Sequence, residues 1–210
     1  MRTGPAAVTL LLAGVAGCTA PDRPELDYVP PSGQPAEDRS AFVRQQPWLV
    51  WGNILDHLQQ QGVRVTEVDE PAGRLVVTYR GDPEPYVDCG WIVIHEDEEL
   101  ERLPAARSEA SFLRRRDGEL VTLERDLRLD ARMIVQIEPS GEDAIVRADS
   151  TYVLTKTIES SDGQEPLHAE TIRLGPGQSD AFTSGTQCQP NGELERLVFD
   201  ALPTVSLAGS

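Results

Sequence analysis

Residues 127 to 137 read Leu-Arg-Leu-Asp-Ala-Arg-Met-Ile-Val-Gln-Ile, and apolar side chains occupy every second position of this stretch. Successive side chains of a β-strand point to opposite faces of the sheet, so a period of two residues indicates a strand with one buried face. We therefore predict a strand here whose Leu129, Met133 and Val135 face the core. Arg132, one position out of phase, is expected on the exposed face.

Two turn-forming segments extend this strand into a sheet. Pro139-Ser140-Gly141 precedes an apolar-rich stretch over residues 144–158, and Ser161-Asp162-Gly163 precedes another over residues 167–174. Short connections of this kind join antiparallel neighbours. The sequence thus predicts a three-stranded antiparallel meander.

Upstream of the meander, the sequence predicts a helix and a hairpin. Pro47 suits the first turn of a helix, and Gly62 is the expected stop. Residues 63–68 and 74–80 then read as two strands around a turn that contains Pro and Gly. Apolar residues of the helix recur at steps of three and four, which predicts one buried face made of Trp48, Trp51, Leu55 and Leu58.

Downstream of the meander, residues 193–202 predict a second amphipathic helix. The order helix, strands, helix indicates an α+β fold, a two-layer antiparallel sheet with two packed helices on one face. Residues 91–94 form a short apolar run that suits another strand. Residues 95–118 carry too many charges for an assignment.

Composition limits the classes of protein to consider. The chain has 210 residues, of which 39% are hydrophobic and 26% charged, which suits one compact domain with a core. Its formal charge is −16, from 19 basic and 35 acidic residues. Nucleic-acid binding needs Lys and Arg to neutralise phosphates, so the charge argues against a nucleic-acid partner. It argues equally against flat adhesion to anionic lipid headgroups.

The N-terminus is typical of an export signal. Met1-Arg2 is a small positive region, and residues 6–15 form an apolar run shorter than the ~20 residues that span a bilayer. The segment Val15-Ala16-Gly17-Cys18 resembles the lipobox of bacterial lipoproteins. This resemblance implies a signal peptide over residues 1–17 and a lipid on Cys18 that anchors the protein in a membrane. A plain secretory signal with an incidental cysteine is the alternative.

The resemblance also implies a location. The anchored protein would face the periplasm, and Thr19 in place of an inner-membrane retention Asp favours the outer membrane. Residues 18–39 are predicted to be a tether, because they are rich in Pro and poor in large apolar side chains. Residues 40–205 then form the single α+β domain.

Two cysteines remain after Cys18, namely Cys89 and Cys188. Disulfides persist in exported proteins, and an even pair flanked by turn-forming residues predicts one bridge. It would join the segment after the first hairpin to the start of the last helix. Two separate buried thiols are the alternative. A metal site is not predicted, because two cysteines without neighbouring His pairs make no tetrahedral set.

The region from the first helix through the first hairpin, residues 47–80, is similar to a known family. Its Trp-containing helix, the stretch Gly62-Val63-Arg64-Val65-Thr66-Glu67, the acidic turn with Gly73 and the stretch Leu75-Val76-Val77-Thr78-Tyr79 resemble the opening of the helix-grip domains of BamC. BamC is a lipoprotein subunit of the outer-membrane β-barrel assembly machinery. The resemblance implies a helix-grip fold and a protein-binding role. BamC has two such domains, a long N-terminal arm and no such cysteine pair, so the fold transfers better than the role.

Motifs that carry chemistry are scarce. The sequence has no Gly-x-Ser-x-Gly, no phosphate-binding Gly-rich loop with Lys and no His-Glu-x-x-His. We therefore predict no catalytic residue, no cofactor and no metal site. The three histidines lie in separate segments and are expected to be solvated or capping residues: His57, His95 and His168.

Three groups have both a functional and a structural interpretation. Residues 95–99 would attract a divalent cation or form a solvated acidic loop. Arg114-Arg115-Arg116 would contact a phosphate or an acidic partner, or lie exposed without one. Trp48 and Trp51 would line a ligand groove or pack in the core.

Two function classes remain. The first is a non-enzymatic, membrane-anchored envelope lipoprotein that binds protein as an accessory or scaffold component, as BamC does. The alternative is a small-ligand or lipid-binding periplasmic module, because a sheet gripping a helix can enclose an apolar pocket. A sealed cavity between helix and sheet would favour the alternative. A filled core with an exposed apolar patch would favour the protein-binding class.

Overall fold

The computed structural model describes residues 25–36, 39–61, 63–96, 99–116, 119–160 and 168–203. Within them the helices are α1 (Pro47–Gln60) and α2 (Glu193–Phe199). The predicted signal peptide and its Cys18 lie outside the described residues. The strands are β1 (Glu25–Val29), β2 (Arg39–Val43), β3 (Arg64–Asp69), β4 (Arg74–Gly81), β5 (Val87–Asp88), β6 (Trp91–Glu96), β7 (Glu99–Pro104), β8 (Glu109–Arg116), β9 (Glu119–Ser140), β10 (Asp143–Ser160), β11 (His168–Leu174), β12 (Asp180–Ala181) and β13 (Gln187–Pro190).

The long hairpin of β9 and β10 is the frame of the central sheet. The two strands pair antiparallel from Ser140 against Asp143 at the turn to Leu123 against Ser160 at the far end. Along its other edge, the first part of β9 pairs with β8 and the second part with β4. Along the other edge of β10, the first part pairs with β2 and the second part with β11. β3 closes a hairpin with β4. The predicted meander and the predicted first hairpin are both confirmed.

In β9, the apolar residues of the alternating sequence pattern are the buried ones. Leu129, Met133 and Val135 have no exposed surface, as predicted. Met133 is registered between Val77 of β4 and Ser150 of β10, so this face of three neighbouring strands is continuous. One face of the central sheet therefore forms one wall of the core.

Both helices pack on this core face, so an antiparallel sheet with two helices, an α+β arrangement, is confirmed. The helices contact each other, and they contact β9 and β10. The core side of α1 is made of Val50, Trp51, Ile54 and Leu58. The sequence prediction for Trp48 and Leu55 was wrong in part, since Leu55 is half-buried and Trp48 is 63% exposed.

The geometry of the helix explains the displaced position of Trp48. Val50, Ile54 and Leu58 follow one another at steps of four, which defines the buried row. Each residue advances about 100° around an α-helix, so Trp48 lies about 200° from Val50, on the opposite side. Its indole N–H donates a hydrogen bond to Gln46 Oε1 at 2.6 Å, outside the core.

Two small sheets lie beside the central one, so the prediction of one single sheet was incomplete. The first has the order β1-β6-β7 and the second has the order β12-β13-β5. The predicted strand at residues 91–94 exists as β6, but it belongs to the first small sheet. The charged region at residues 95–118 provides β7 and β8, whose strand pairing is not visible in the apolar pattern.

Part of the predicted tether is folded. Residues 25–29 form β1, which pairs antiparallel with β6 from Glu25 against His95 to Val29 against Trp91. β1 contains no proline, so each of its residues keeps the backbone N–H that a ladder needs, and Pro30 follows the strand directly. Pro30 marks the end of this strand, and the tether prediction overlooked the strand. Neither helix is long and apolar enough to cross a membrane, within the part of the chain that the structure describes.

Met133 provides a direct test of the assigned core face. Met133→Asp is expected to lower the free energy of unfolding by about 3–5 kcal/mol or more, because the carboxylate would be buried without a partner. Arg132→Asp is the matched control on the exposed face and is expected to cost less than about 1 kcal/mol. Urea unfolding followed by circular dichroism measures both. Equal midpoints for the two variants would contradict the assignment.

Candidate functional site

A disulfide joins two parts of the domain that are distant in sequence. Cys89 and Cys188 are bonded, as the sequence predicted. Their Cα atoms are 4.0 Å apart. Next to the bridge, β5 pairs with β13 through Asp88 against Gln189. Both cysteines are buried. The bridge therefore fixes the segment before α2 to the segment that follows the first hairpin.

β1 is attached to the same place through Tyr28. Its hydroxyl lies 3.1 Å from the carbonyl oxygens of both Cys89 and Gln187 and accepts a hydrogen bond from the Gln187 N–H at 2.8 Å. Burial raises the pKa of the Tyr28 hydroxyl, against the opposing hydrogen bond from Gln187. At Gly90, with φ of 76°, a Cβ atom would lie 2.1 Å from the carbonyl oxygen of Val29. Only glycine therefore allows β1 to end so close to the disulfide.

The face of the central sheet opposite the helices carries a shallow depression of about 770 Å³. Its floor is made by the short side chains of Thr78, Thr151 and Val153. Four arginines line it, one on each of the strands β3, β4, β9 and β11. We call them the arginine face: Arg64, Arg80, Arg132 and Arg173.

Strand register explains why these arginines meet. Arg64 is opposite Thr78, which is opposite Arg132, so the two arginines share one row across the sheet. Arg80 and Arg173 share the next row on this face, on the two sides of the pair formed by Asp130 and Val153. The pleat points all four side chains to the same side. Residues distant in sequence are thus gathered by the ladder.

The charges of the depression are not balanced. Arg80 forms an ion pair with Asp130, and Arg132 Nη2 lies 3.9 Å from Glu67 Oε1. Glu67 is shared, because Arg74 Nη1 lies 3.1 Å from its other oxygen. Among the described residues, no carboxylate forms an ion pair with Arg64 or Arg173. The depression is therefore positive in a chain whose formal charge is −16.

A second depression, of about 290 Å³, lies where α1 begins. The indoles of Trp48 and Trp51 line it together with three prolines and two glutamates: Pro47, Pro71, Pro139, Glu70 and Glu138. The sequence offered a groove or core packing for these tryptophans as alternatives. The structure gives the two residues different environments: Trp51 is 8% exposed and packs in the core at the edge of the groove, while Trp48 is an exposed wall of the groove.

A buried ion pair lies at the core side of β10 and β11. Lys156 Nζ is 3.1 Å from Glu170 Oε2, 3.0 Å from Ser184 Oγ and 4.2 Å from the centroid of the Phe182 ring. Desolvation alone would raise the pKa of Glu170. Hydrogen bonds outweigh it, chiefly from the Thr183 N–H and Lys156, and lower this pKa to about 2. The pair holds the segment after β11 to the central sheet and has a structural role.

The remaining predicted groups do not converge. His95 Nε2 contacts Asp27 Oδ2 at 3.1 Å, and His168 Nε2 lies 3.4 Å from Glu170 Oε2. Part of the acidic segment 95–99 and the side chains of Arg114-Arg115-Arg116 lie outside what the structure describes. Within the described ranges, no three His, Cys, Asp or Glu side chains are placed to share a metal ion.

Comparison with known protein families, with curated proteins and with solved structures finds no match to this chain. The resemblance of residues 47–80 to the helix-grip domains of BamC stays a prediction.

Removal of the disulfide is expected to destabilise the domain strongly. Cys89→Ala with Cys188→Ala opens a covalent loop with a sequence separation of 99 residues. The chain-entropy model predicts a loss of about 4–5 kcal/mol for a loop of this size. Denaturant unfolding of the oxidised protein, the reduced protein and the double variant measures the loss. Reduction should shift the wild type and leave the variant unchanged, and an unshifted wild type would contradict a stabilising bridge.

The Lys156–Glu170 pair predicts a defined pH dependence of stability. The pKa of Glu170 is about 2 in the folded protein, against 4.5 for an ordinary glutamate. A lowered folded pKa adds stability above the unfolded value, and this stability is lost as the pH falls from about 4.5 towards 2. Unfolding of wild type and Glu170→Gln should thus differ most above pH 4.5 and converge in acid, with exposed Glu159→Gln as control. A constant difference at every pH would contradict the assigned ion pair.

Proposed function

We propose that this chain is a non-enzymatic, membrane-anchored envelope lipoprotein that binds another protein as an accessory or scaffold component. The proposal places the anchor at Cys18 and the domain on the periplasmic side, with the outer membrane as its membrane. The open face of the central sheet is the binding surface. The arginine face is the observation that carries the protein-binding role.

The packing of the helices favours a filled core over a ligand chamber. Val50, Ile54 and Leu58 of α1 have no exposed surface, and neither have the sheet residues beneath them such as Leu129 and Met133. Both depressions described above open to the outside. A helix laid across an antiparallel sheet is also what a helix-grip fold requires, and that finer description is part of the proposal.

The polar groups in the larger depression suit recognition better than turnover. Its carboxylate, Asp130, is held by Arg80, and its other polar side chains are four guanidinium groups, two threonine hydroxyls and the phenol of Tyr79. Tyr79 donates its hydroxyl hydrogen to the Asp82 carbonyl, and burial raises the pKa of this phenol further above neutral pH. Guanidinium groups bind oxyanions in fixed geometry but do not exchange protons near neutral pH. General acid–base chemistry needs a group that does. A surface of this composition binds a partner.

The location of β1 fits a short anchor. Residues 19–24 separate Cys18 from the first residue of β1, Glu25. Fully extended, they span about 20 Å. A lipid on Cys18 would thus keep the part of the domain that carries β1 and the disulfide close to the membrane.

The alternative, a small-ligand or lipid-binding module, is favoured by the groove of Trp48 and Trp51. Indole faces stack on apolar rings and chains, and Trp48 is exposed enough to do so. A ligand there would change the tryptophan fluorescence, and Trp48→Ala would abolish the change. This function would use a different surface from the arginine face.

The anchor is tested by Cys18→Ser. The variant is expected to leave the membrane fraction and to lose labelling by a fatty-acid probe, because the thiol that carries the lipid is gone. Cys89→Ala with Cys188→Ala is the matched cysteine control and should keep both the label and the membrane location. Full labelling of Cys18→Ser would contradict the proposed anchor.

A further inference from the structure

We propose that the arginine face is the docking site for a short acidic segment of the partner protein, one rich in Asp and Glu. This inference rests on the proposed function and specifies the chemistry of the surface through which it acts. The occupant is identified by charge complementarity, by the spacing of the arginines and by the shape of the depression between them.

Strand spacing sets the size of the site. Neighbouring strands are about 4.8 Å apart, so Arg64 and Arg132, two strands apart in one row, begin about 9.6 Å from each other. Arg80 and Arg173 are three strands apart in the next row, about 14 Å. One row follows the next after two residues, or about 7 Å. Such a patch matches four or five extended residues.

The floor leaves room for a chain between these arms. Thr78, Thr151 and Val153 lie between the arginines and are all short. Val153 offers apolar contact to the stem of a Glu or Asp side chain, while the two threonine hydroxyls are additional donors to a carboxylate. The site thus has donors on its floor and at its rim.

The distribution of charge on this chain favours the carboxylates of a short protein segment over an anionic membrane or a nucleic acid. Within the part of the chain that the structure describes, the four guanidinium groups form ion pairs only with Asp130 and a shared Glu67, so bound carboxylates would find free donors at Arg64 and Arg173. Guanidinium and carboxylate match in bidentate geometry. An anionic membrane or a nucleic acid extends far beyond the depression and meets the rest of a chain charged −16. A short acidic segment avoids this repulsion because its charges fit within the patch.

The same argument gives the site its selectivity. The surrounding negative charge disfavours large polyanions, and the local positive charge disfavours basic segments. Exposed arginine pairs are individually weak, so recognition needs several carboxylates at once. The site should therefore prefer a run of acidic residues over a single one, and its affinity should fall with salt.

The test uses the full-length chain in non-ionic detergent and fluorescent hexaglutamate as probe, with binding followed by anisotropy. Arg64→Gln with Arg132→Gln and Arg173→Gln is expected to weaken binding by about tenfold or more. The control is Arg44→Gln with Arg102→Gln and Arg107→Gln, exposed arginines outside the depression, which removes the same charge. It should weaken binding less than about twofold. Raising the salt to about 0.15 M should weaken the wild type.

Three outcomes would overturn the inference. The wild type fails to bind hexaglutamate at low salt, or the two triple variants weaken equally, or the arginine-face variant loses binding to a soluble short-chain phosphatidylglycerol while hexaglutamate does not compete. A photo-crosslinking residue in place of Thr151 separates this failure from that of the proposed function. If a protein is crosslinked at position 151 but hexaglutamate does not bind, the proposed protein partner stands and its acidic segment is ruled out. If hexaglutamate binds but no protein is crosslinked, the acidic-segment site stands and the proposed protein partner is ruled out.

Discussion

The pairing of β9 with β10 is the constraint on which the rest of the molecule depends. From Leu123 against Ser160 to Ser140 against Asp143, one continuous ladder sets the register of a hairpin far longer than an ordinary strand pair. The remaining strands of the central sheet attach to its outer edges. A slip by one residue would turn Met133 outward and Arg132 inward, so the core and the arginine face would be lost together.

Sequence predicted the parts of the fold in which burial is periodic. The strand at residues 127–137, the meander and the hairpin after α1 all follow from alternation, because one face of each is in the core. β7 and β8 were not predictable in this way, since charged strands at the side of a domain have no clear apolar face. The prediction put Trp48 on the buried face of α1, whereas Val50 and Ile54 occupy that face. Steps of three and four residues fit both a row that starts at Trp48 and a row that starts at Val50, so the pattern alone does not distinguish them.

The candidate site was predictable only in part, for a physical reason. The disulfide was predicted from the even cysteine count and from the predicted export of the chain, whereas the arginine face depends on register between strands that are distant in sequence. Arg132 was predicted on the exposed face, yet nothing in the chain order relates it to Arg64 or Arg173. Only the ladders β3–β4, β4–β9, β9–β10 and β10–β11 bring the three together. Sites built across a sheet are therefore hidden from patterns read along the chain.

The position of β1 decides how a mechanical load enters the domain. A pull on the residues before Glu25 acts first on the β1–β6 ladder, and the Tyr28 hydroxyl transmits part of the tension to the backbone of Cys89 and Gln187. Because Cys89 is covalently joined to Cys188, that tension is divided between two distant parts of the chain. β1 is an edge strand of a sheet separate from the central one, so we expect its ladder to open before the hairpin of β9 and β10. The core should then outlast the detachment of the N-terminal strand.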